Sequence, residues 1–486
     1  MTNSDTSSFD LIVVGSGIAG LSAAVTGAEL GLKVALVERA PEGEHGGNTR
    51  YTEAYLRMKS MDEVADDFES HFAANAGGYP DPGILQEAAL DYSSWSSLMR
   101  SMCLADPEVI DAFATAAGPT LRWLETAGVK FDFLPTAFLT TTTTRLLPVG
   151  GGLALVEALT PAAKTAGVTF MFCCTAKSLV TNGDGTVTGL NVKHAGGRQE
   201  ALNCRALVLA SGGFQGNAEM QTKYLGPKSI NLRPVARGGH YNKGEGIAMA
   251  LDIGAAPNGD FGSYHAEPID PRSGVPEPAV FTFPYGILVN KEGHRFTDEA
   301  PGTVDAIYES VTRRIYDQRD GIAYLILDAK INDVPNWERS LRSDQKPISA
   351  DSIADLAAQI EVDGDVLART ISDYNQACGT GEFRALEVDG LATEGLVPRK
   401  SNWARPIDTP GYLCVPIISS NVFTFGGLKA NGHGQVLDTD GDPIQGLYAA
   451  GETMGLYFRV YTGSTSVLRG AVFGRLAAQH AAANSG

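Results

Sequence analysis

The 486-residue chain has six cysteines (Cys103, Cys173, Cys174, Cys204, Cys378 and Cys414), with no C-x-x-C pair and no cluster-ligand spacing. Their arrangement excludes a recognisable iron–sulfur motif, and the absence of C-x-x-C-H excludes ordinary covalent haem attachment. Reduced thiols and no metal site are the expectation. Positive charge is also scarce. Lysine and arginine total 38 against 56 acidic residues, a net charge of −18, which argues against a nucleic-acid partner or an anionic membrane surface. An anionic substrate stays open, because a local arginine cluster can invert the field inside a cleft. No apolar run is long enough to span a bilayer. The first eight residues, MTNSDTSS, are polar and have no apolar core, so neither a signal peptide nor a transmembrane segment is expected, and the location expected is cytoplasmic.

Glycine, by contrast, is plentiful, with 56 residues, and its most informative use is near the start. Leu11–Val14 is a short aliphatic run suited to a strand buried on both faces. Gly15, Gly17 and Gly20 follow in G-x-G-x-x-G spacing. Gly15 permits the sharp turn, Gly17 lets backbone approach a pyrophosphate, and Gly20 lets the next helix pack on the strand. That helix, starting near Ile18, aims its N-terminal amides at phosphate. A second strand over 33–37 ends at Glu38, where a carboxylate accepts hydrogen bonds from ribose hydroxyls. Together these features specify a dinucleotide site.

Residues 39–50, RAPEGEHGGNTR, then point to FAD rather than NAD. Gly46 and Gly47 let backbone reach the flavin side, and Asn48 and Thr49 supply hydrogen bonds there. Residues 206–213, ALVLASGG, form a second buried strand closing on Gly212 and Gly213, and no second G-x-G-x-x-G unit follows it. A separate nicotinamide domain is therefore not expected. Glu245, between the glycines of KGEGIAMA, is placed to hold a ribityl or ribose hydroxyl.

Helical spacing covers 61–72, 84–104, 107–127 and 153–166, with a strand over 168–173 and a hairpin from 187–193 and 198–204. The five threonines at 140–144 favour extended structure. From about 257 to 408 the texture changes to scattered prolines, aromatics and short helices at 353–358 and 364–378. The organisation expected is an α/β, Rossmann-like FAD-binding domain built from 1–256 and 409–486, with an inserted α+β cap over 257–408. The chain then returns through a hairpin at 436–443, the GLYAAGE strand at 446–452 and a final helix over 469–483. The start of that helix is positioned for the flavin edge where negative charge develops on reduction.

The motifs GSGIAGLSAA, GGNTR, ALVLASGGF, KGEGIAMALDIGA, GILVNKEGHRF and GLYAAGE resemble those of the flavoprotein subunits of fumarate reductase and succinate dehydrogenase over essentially the whole chain. GGNTRYTEAYLR, ARGGHYNKGEG and FTFGGL resemble most the branch containing tricarballylate dehydrogenase, with 3-ketosteroid dehydrogenases more distant. The resemblance implies bound FAD and hydride exchange with a C–C single or double bond of a small carboxylated substrate. It adds Ile18, Ala19, Arg39, Ser211, Ala176, Gly451, Glu452, Ser464, Ser466 and Val467 to the cofactor contacts. Covalent attachment is not implied, because Ala40 stands in the attachment slot, although His45 lies nearby. The departures weigh against fumarate itself. Phe423 and Tyr461 replace a substrate His and Arg, and the segment 328–332, DAKIN, lacks the proton-donating Arg.

Four residues are candidates for chemistry. Tyr461 is the leading candidate for the proton role, and His265 matches a substrate-binding His that stabilises enolate-like charge. Arg237 and Arg459 are favoured over Arg50, Arg295 and Arg469 for orienting a carboxylate. An alternative substrate is a ketosteroid or another apolar ketone, for which Phe423, Phe425, Phe458 and Phe281 would line the pocket. A non-catalytic or RNA-modifying use of the fold is a third reading, disfavoured by the acidic charge. The electron donor or acceptor is left open.

Overall fold

The computed structural model describes residues 7–75, 82–102, 106–135 and 144–484. Of the threonine run, 140–143 lie outside the described residues, and Thr144 opens the strand Thr144–Pro148.

At the centre is a six-stranded sheet in the order Gln435–Leu437, Pro443–Ala449, Ala206–Leu209, Leu11–Val14, Val34–Val37 and Thr169–Met171. The last five are parallel, and Gln435–Leu437 is an antiparallel edge. Leu11–Val14, Val34–Val37 and Ala206–Leu209 are buried at every position, which is why their sequences are unbroken aliphatic runs instead of alternating ones. Helix Ile18–Glu29 follows the first strand, and the final helix, Ser466–Ala483, lies against it. The two approach through small residues. A Cβ at Gly474 would stand 2.2 Å from the Ala19 carbonyl oxygen, so this seam admits only glycine there. The last helix is thereby fixed with its N-terminal end beside the first glycine turn.

Three antiparallel strands, Cys174–Thr181, Val187–His194 and Gln199–Asn203, include the expected hairpin. The long helix Pro107–Thr126 forms as the pattern requires, and its Phe113 packs against Phe68 and Phe473 at ring distances of 5.0 and 5.7 Å. Two expected helices are different. Residues 61–67 stay irregular, with Ser60 Oγ accepting the amides of Asp62 and Glu63, and the helix runs only over Phe68–Asn75. Of the expected helix 84–104, residues 103–104 lie outside the described residues, and the remainder breaks into Pro82–Ala88, Tyr92–Ser94 and Ser97–Ser101. Ser96 caps the last piece by accepting the Met99 amide, a local bond that competes with a continuous helix.

A second sheet is built around Tyr412–Thr424, thirteen residues long. It pairs with Tyr264–Ile269, Ile322–Leu327, Ile348–Ala350 and Arg233–Pro234, while Ile287–Val289 lies beyond Ile322–Leu327. Its last residues, Phe423 and Thr424, reach the glycine turns of the first sheet, where Thr424 Oγ1 accepts the Phe214 amide at 3.3 Å. Helix Val304–Asp317 lies over this sheet, and Ile353–Gln359 and Gly364–Ala377 close a core around Leu356, Leu367 and Tyr374. Among the described residues no helix is long and apolar enough to cross a membrane.

Candidate active site

The first glycine turn is sterically locked. Gly15 has φ +101°, and a Cβ at Gly20 would lie 1.8 Å from the Gly15 carbonyl oxygen. Strand and helix therefore meet at backbone distance, which leaves helix amides facing an open cleft. Seventeen of the expected cofactor residues line it, including Gly15, Gly17, Ile18, Ala19, Glu38, Arg39, Gly47, Asn48, Thr49, Ala176, Ser211, Gly212, Glu245, Gly451, Glu452, Ser466 and Val467. Gly20, Gly46, Gly213 and Ser464 stand behind that wall. Gly20 packs on Gly15, Gly46 donates its amide to Ser16 Oγ, and a Cβ on Gly213 would meet Thr424 and Glu452. Ser464 accepts the Arg57 amide at 2.7 Å.

Ser16 was not singled out from the sequence, yet it ties three segments together. Its amide and hydroxyl donate to Glu38 Oε2 at 2.8 and 2.6 Å, and its Oγ accepts from Gly46 N at 3.0 Å. Glu38 Oε1 accepts from Ala40 N at 2.7 Å, so the acid is held in one orientation at the cleft. Thr49 Oγ1 accepts from Ile18 N at 3.0 Å, joining the GGNT loop to the first helix. Glu245 is engaged by Arg39 at 2.5 Å, and Arg39 also donates to the Tyr241 carbonyl.

Two buried oxygens, Asn48 Oδ1 and Ser211 Oγ, have no hydrogen-bond partner among the described residues and lie on residues of the cleft wall. Unpaired buried polar atoms are costly, so these positions fit a polar ligand that supplies the missing bonds. With the glycine turn, the ribose acid and the helix N-termini, the residues fit FAD. Glu452 lies further along, accepting from Thr424 N (2.8 Å), Thr424 Oγ1 (3.2 Å), Gln215 Nε2 (3.2 Å) and Asn242 Nδ2 (3.2 Å). Burial pushes its carboxyl above the ordinary range despite these donors. His45 has both ring nitrogens occupied, by the Glu42 carbonyl and Thr160 Oγ1, so neither is available to a flavin, whereas Ala40 lines the cleft.

The far end is aromatic. Phe423 is 5.0 Å from Tyr461, 5.2 Å from His265, 5.6 Å from Tyr457 and 5.7 Å from Phe425, and His265 is 4.4 Å from Tyr461. Tyr461 and His265 are thus brought together. The Tyr461 hydroxyl accepts from Thr465 N and Ser466 N at 2.9 and 3.0 Å and donates to Ser466 Oγ at 3.1 Å, closing the start of the last helix. Arg237 and Arg459 are not part of this assembly. Arg237 is exposed and paired with Glu44 at 2.7 Å, and Arg459 is exposed with its amide on Asp260. Arg295 is paired with buried Glu299. Of the arginines weighed for the substrate, Arg469 lines the cleft, 1% exposed, lying 4.5 Å over Tyr457 and donating to the Met454 carbonyl. Its position at the start of the last helix is visible in the sequence, but its inward direction is not.

A family model described as an FAD binding domain matches residues 10–468. The chain is 28% identical over 483 residues to vinyl phenol reductase of Lactiplantibacillus plantarum, covering 93% of this chain and 91% of that one. It is 27% identical over 502 residues to urocanate reductase of Eggerthella lenta, covering 98% and 75%. The solved open conformation of a flavocytochrome c3 fumarate reductase superposes with TM-score 0.75 at 24% identity, covering 99% of this chain and 79% of that chain. With its glycine turn, ribose acid and unpaired cleft oxygens all arranged for the cofactor, the chain belongs to the FAD binding domain family and is an FAD-dependent oxidoreductase of the fumarate reductase flavoprotein type.

Proposed function

We propose that this oxidoreductase reduces a C=C bond carried on a flat, aromatic body with at most one negative charge, a vinyl phenol being the model substrate. The observation that carries this reading is the Phe423 ring, which lines the cleft and is backed by Tyr457, Tyr461 and His265. Aromatic rings pack on such a wall through offset or edge contacts worth about 0.5–1.5 kcal/mol beyond their area burial. A polycarboxylate instead calls for several guanidinium groups, and Arg237, Arg295 and Arg459 are engaged elsewhere or exposed.

Bound FAD supplies the hydride chemistry. The chain's own part is to hold the alkene against the Phe423 ring, which buried Phe425 and Tyr457 back from behind. Ser466 and Val467 bring the N-terminal end of the last helix to the cleft, where its positive dipole end favours developing negative charge. A small carboxylated substrate of the tricarballylate kind keeps one observation in its favour. Arg469 Nε is buried without a hydrogen-bond partner among the described residues.

Difference absorbance of the oxidised holoenzyme separates the two. Ethyl phenol, the saturated counterpart, is expected to perturb the flavin band saturably, with tricarballylate and succinate giving no change. A saturable response to tricarballylate and none to ethyl phenol would reverse the assignment.

A further inference from the structure

Behind the aromatic wall a carboxylate, an imidazole and a phenol stand in line. Strand Tyr264–Ile269 carries His265, and helix Val304–Asp317 carries the adjacent Tyr308 and Glu309. Glu309 Oε2 lies 3.5 Å from His265 Nδ1, and the Tyr308 hydroxyl lies 3.3 Å from Nε2. Arg313, one turn further along the helix, holds the other Glu309 oxygen at 2.8 Å and also donates to the Tyr264 carbonyl. His265 in turn lies tilted against Phe423, part of the cleft wall, and Tyr308 is half-buried beside it.

We propose that Glu309, His265 and Tyr308 form a proton-transfer triad, with Tyr308 giving the proton to the carbon beside the one that receives hydride, and Glu309 positioning His265 by fixing its neutral form as the Nδ1–H tautomer. The triad rests on the proposed alkene reduction. A carboxylate only accepts, so the nitrogen facing Glu309 carries hydrogen and Nε2 is left to exchange a proton with the phenol. In the reducing direction the Tyr308 O–H bond breaks and its proton completes the new C–H bond, while both electrons of the hydride come from the reduced cofactor. The phenolate oxygen takes its replacement from solvent by way of His265: Nε2 accepts a solvent proton and passes it to the phenolate, and His265 returns to the neutral Nδ1–H form. Dehydrogenation runs the same transfers backwards.

Burial pushes Glu309 up, but His265 and Arg313 outweigh it and hold the carboxyl below its ordinary range. Burial, with Glu267 and Glu309 adding to it, raises Tyr308 well above its ordinary value, so the phenol is protonated at rest. The remaining titratable neighbours of His265 are Glu267, 3.9 Å from Nε2, and Tyr461. Two flanking carboxyl groups make His265 a poor receptor for a substrate carboxylate, contrary to the role its motif suggests. Tyr461 has already given its hydroxyl hydrogen to Ser466, which leaves Tyr308 as the phenol whose hydrogen faces a base.

Two readouts test this on FAD-loaded protein. Imidazole nitrogen shifts, with His265 assigned by its loss in His265→Asn, are expected to show the Nδ1–H tautomer in the parent and a shift toward Nε2–H in Glu309→Leu. Anaerobic reoxidation of the reduced flavin by vinyl phenol is expected to slow about 10²–10⁴-fold in Tyr308→Phe, with the flavin spectrum intact. An Nε2–H tautomer in the parent, or near-parental reoxidation in Tyr308→Phe, overturns the triad. Should the parent reduce no alkene, the functional reading fails by itself, and the tautomer alone decides whether Glu309 positions His265.

Discussion

At the scale of single residues, contact geometry decides which positions tolerate change. In Gly20→Ala the new methyl would meet the Gly15 carbonyl oxygen at 1.8 Å. Backbone must move to admit it, and overpacking of this kind costs about 1–3 kcal/mol or more. The expected result is a protein purified with a much lower flavin-to-protein absorbance ratio, and a full complement of flavin would contradict the locked turn. Arg237→Ala and Arg459→Ala are expected to change alkene turnover by no more than about twofold, because exposed substitutions shift free energies by only about 0.5 kcal/mol. Gly15, Gly17, Gly20 and Glu38 were legible in the sequence, since their spacing is set by local turn geometry. Arg469 is not distinguishable from the other arginines in the sequence, because its value depends on the direction of one helix face. Arg237 is neutralised by Glu44, 193 positions away, a pairing that adjacency to a motif cannot reveal.

Helix ends carry the tests at the scale of elements. Asp106 caps Pro107–Thr126 by accepting the Glu108 amide at 2.9 Å, while its Oδ2 is buried without a hydrogen-bond partner among the described residues. Burial pushes this carboxyl up to about 6 from 3.8. A raised carboxyl contributes stability that is complete below its unfolded value and lost as pH rises through its folded value. Asparagine caps equally well and cannot ionise. Asp106→Asn is therefore expected to be more stable than the parent by about 1–3 kcal/mol near about pH 8, converging with it near about pH 4. Thermal melts across that range check the difference, and a constant offset would rule out the ionisation cost. Tyr461→Phe removes the acceptor for the Thr465 and Ser466 amides and is expected to cost about 1 kcal/mol of stability. Its loss of turnover should fall well short of that in Tyr308→Phe, a comparison that steady-state rates make directly. The strands around the first glycine turn and the final helix were readable because each is a strong local pattern. The region 84–104 was not, because serine side chains at its centre offer backbone bonds that helical spacing alone does not register.

The whole molecule joins its two sheets through Tyr412–Thr424 and through a buried charge cluster. Arg342 reaches Glu53 at 2.9 Å and Glu277 at 3.4 Å, connecting the segment after the GGNT loop to the second sheet. Burial pushes Glu277 well above the ordinary carboxylate range, with Glu267 raising it further, and Glu267 is itself raised by burial. By the same sign argument, this cluster loses stabilising free energy as pH rises above the ordinary carboxylate range. Glu277→Gln is expected to lose less melting temperature over that rise than the parent, and parallel profiles would contradict the assignment. From the sequence the second sheet was visible only as a change of texture, since its central strand pairs with segments far away along the chain. The parallel strands of the first sheet were legible for the opposite reason, each being a local aliphatic run.

The central claim, an FAD-dependent oxidoreductase whose pocket takes aromatic alkenes, is tested most directly by anaerobic stopped-flow mixing. Purified holoenzyme is reduced photochemically and mixed separately with vinyl phenol, fumarate and buffer, while the return of the oxidised flavin band is followed. Rapid, stoichiometric reoxidation by vinyl phenol, with fumarate no faster than buffer, is the predicted result. Reoxidation by fumarate but not by vinyl phenol, or a protein that binds no flavin, would contradict the account.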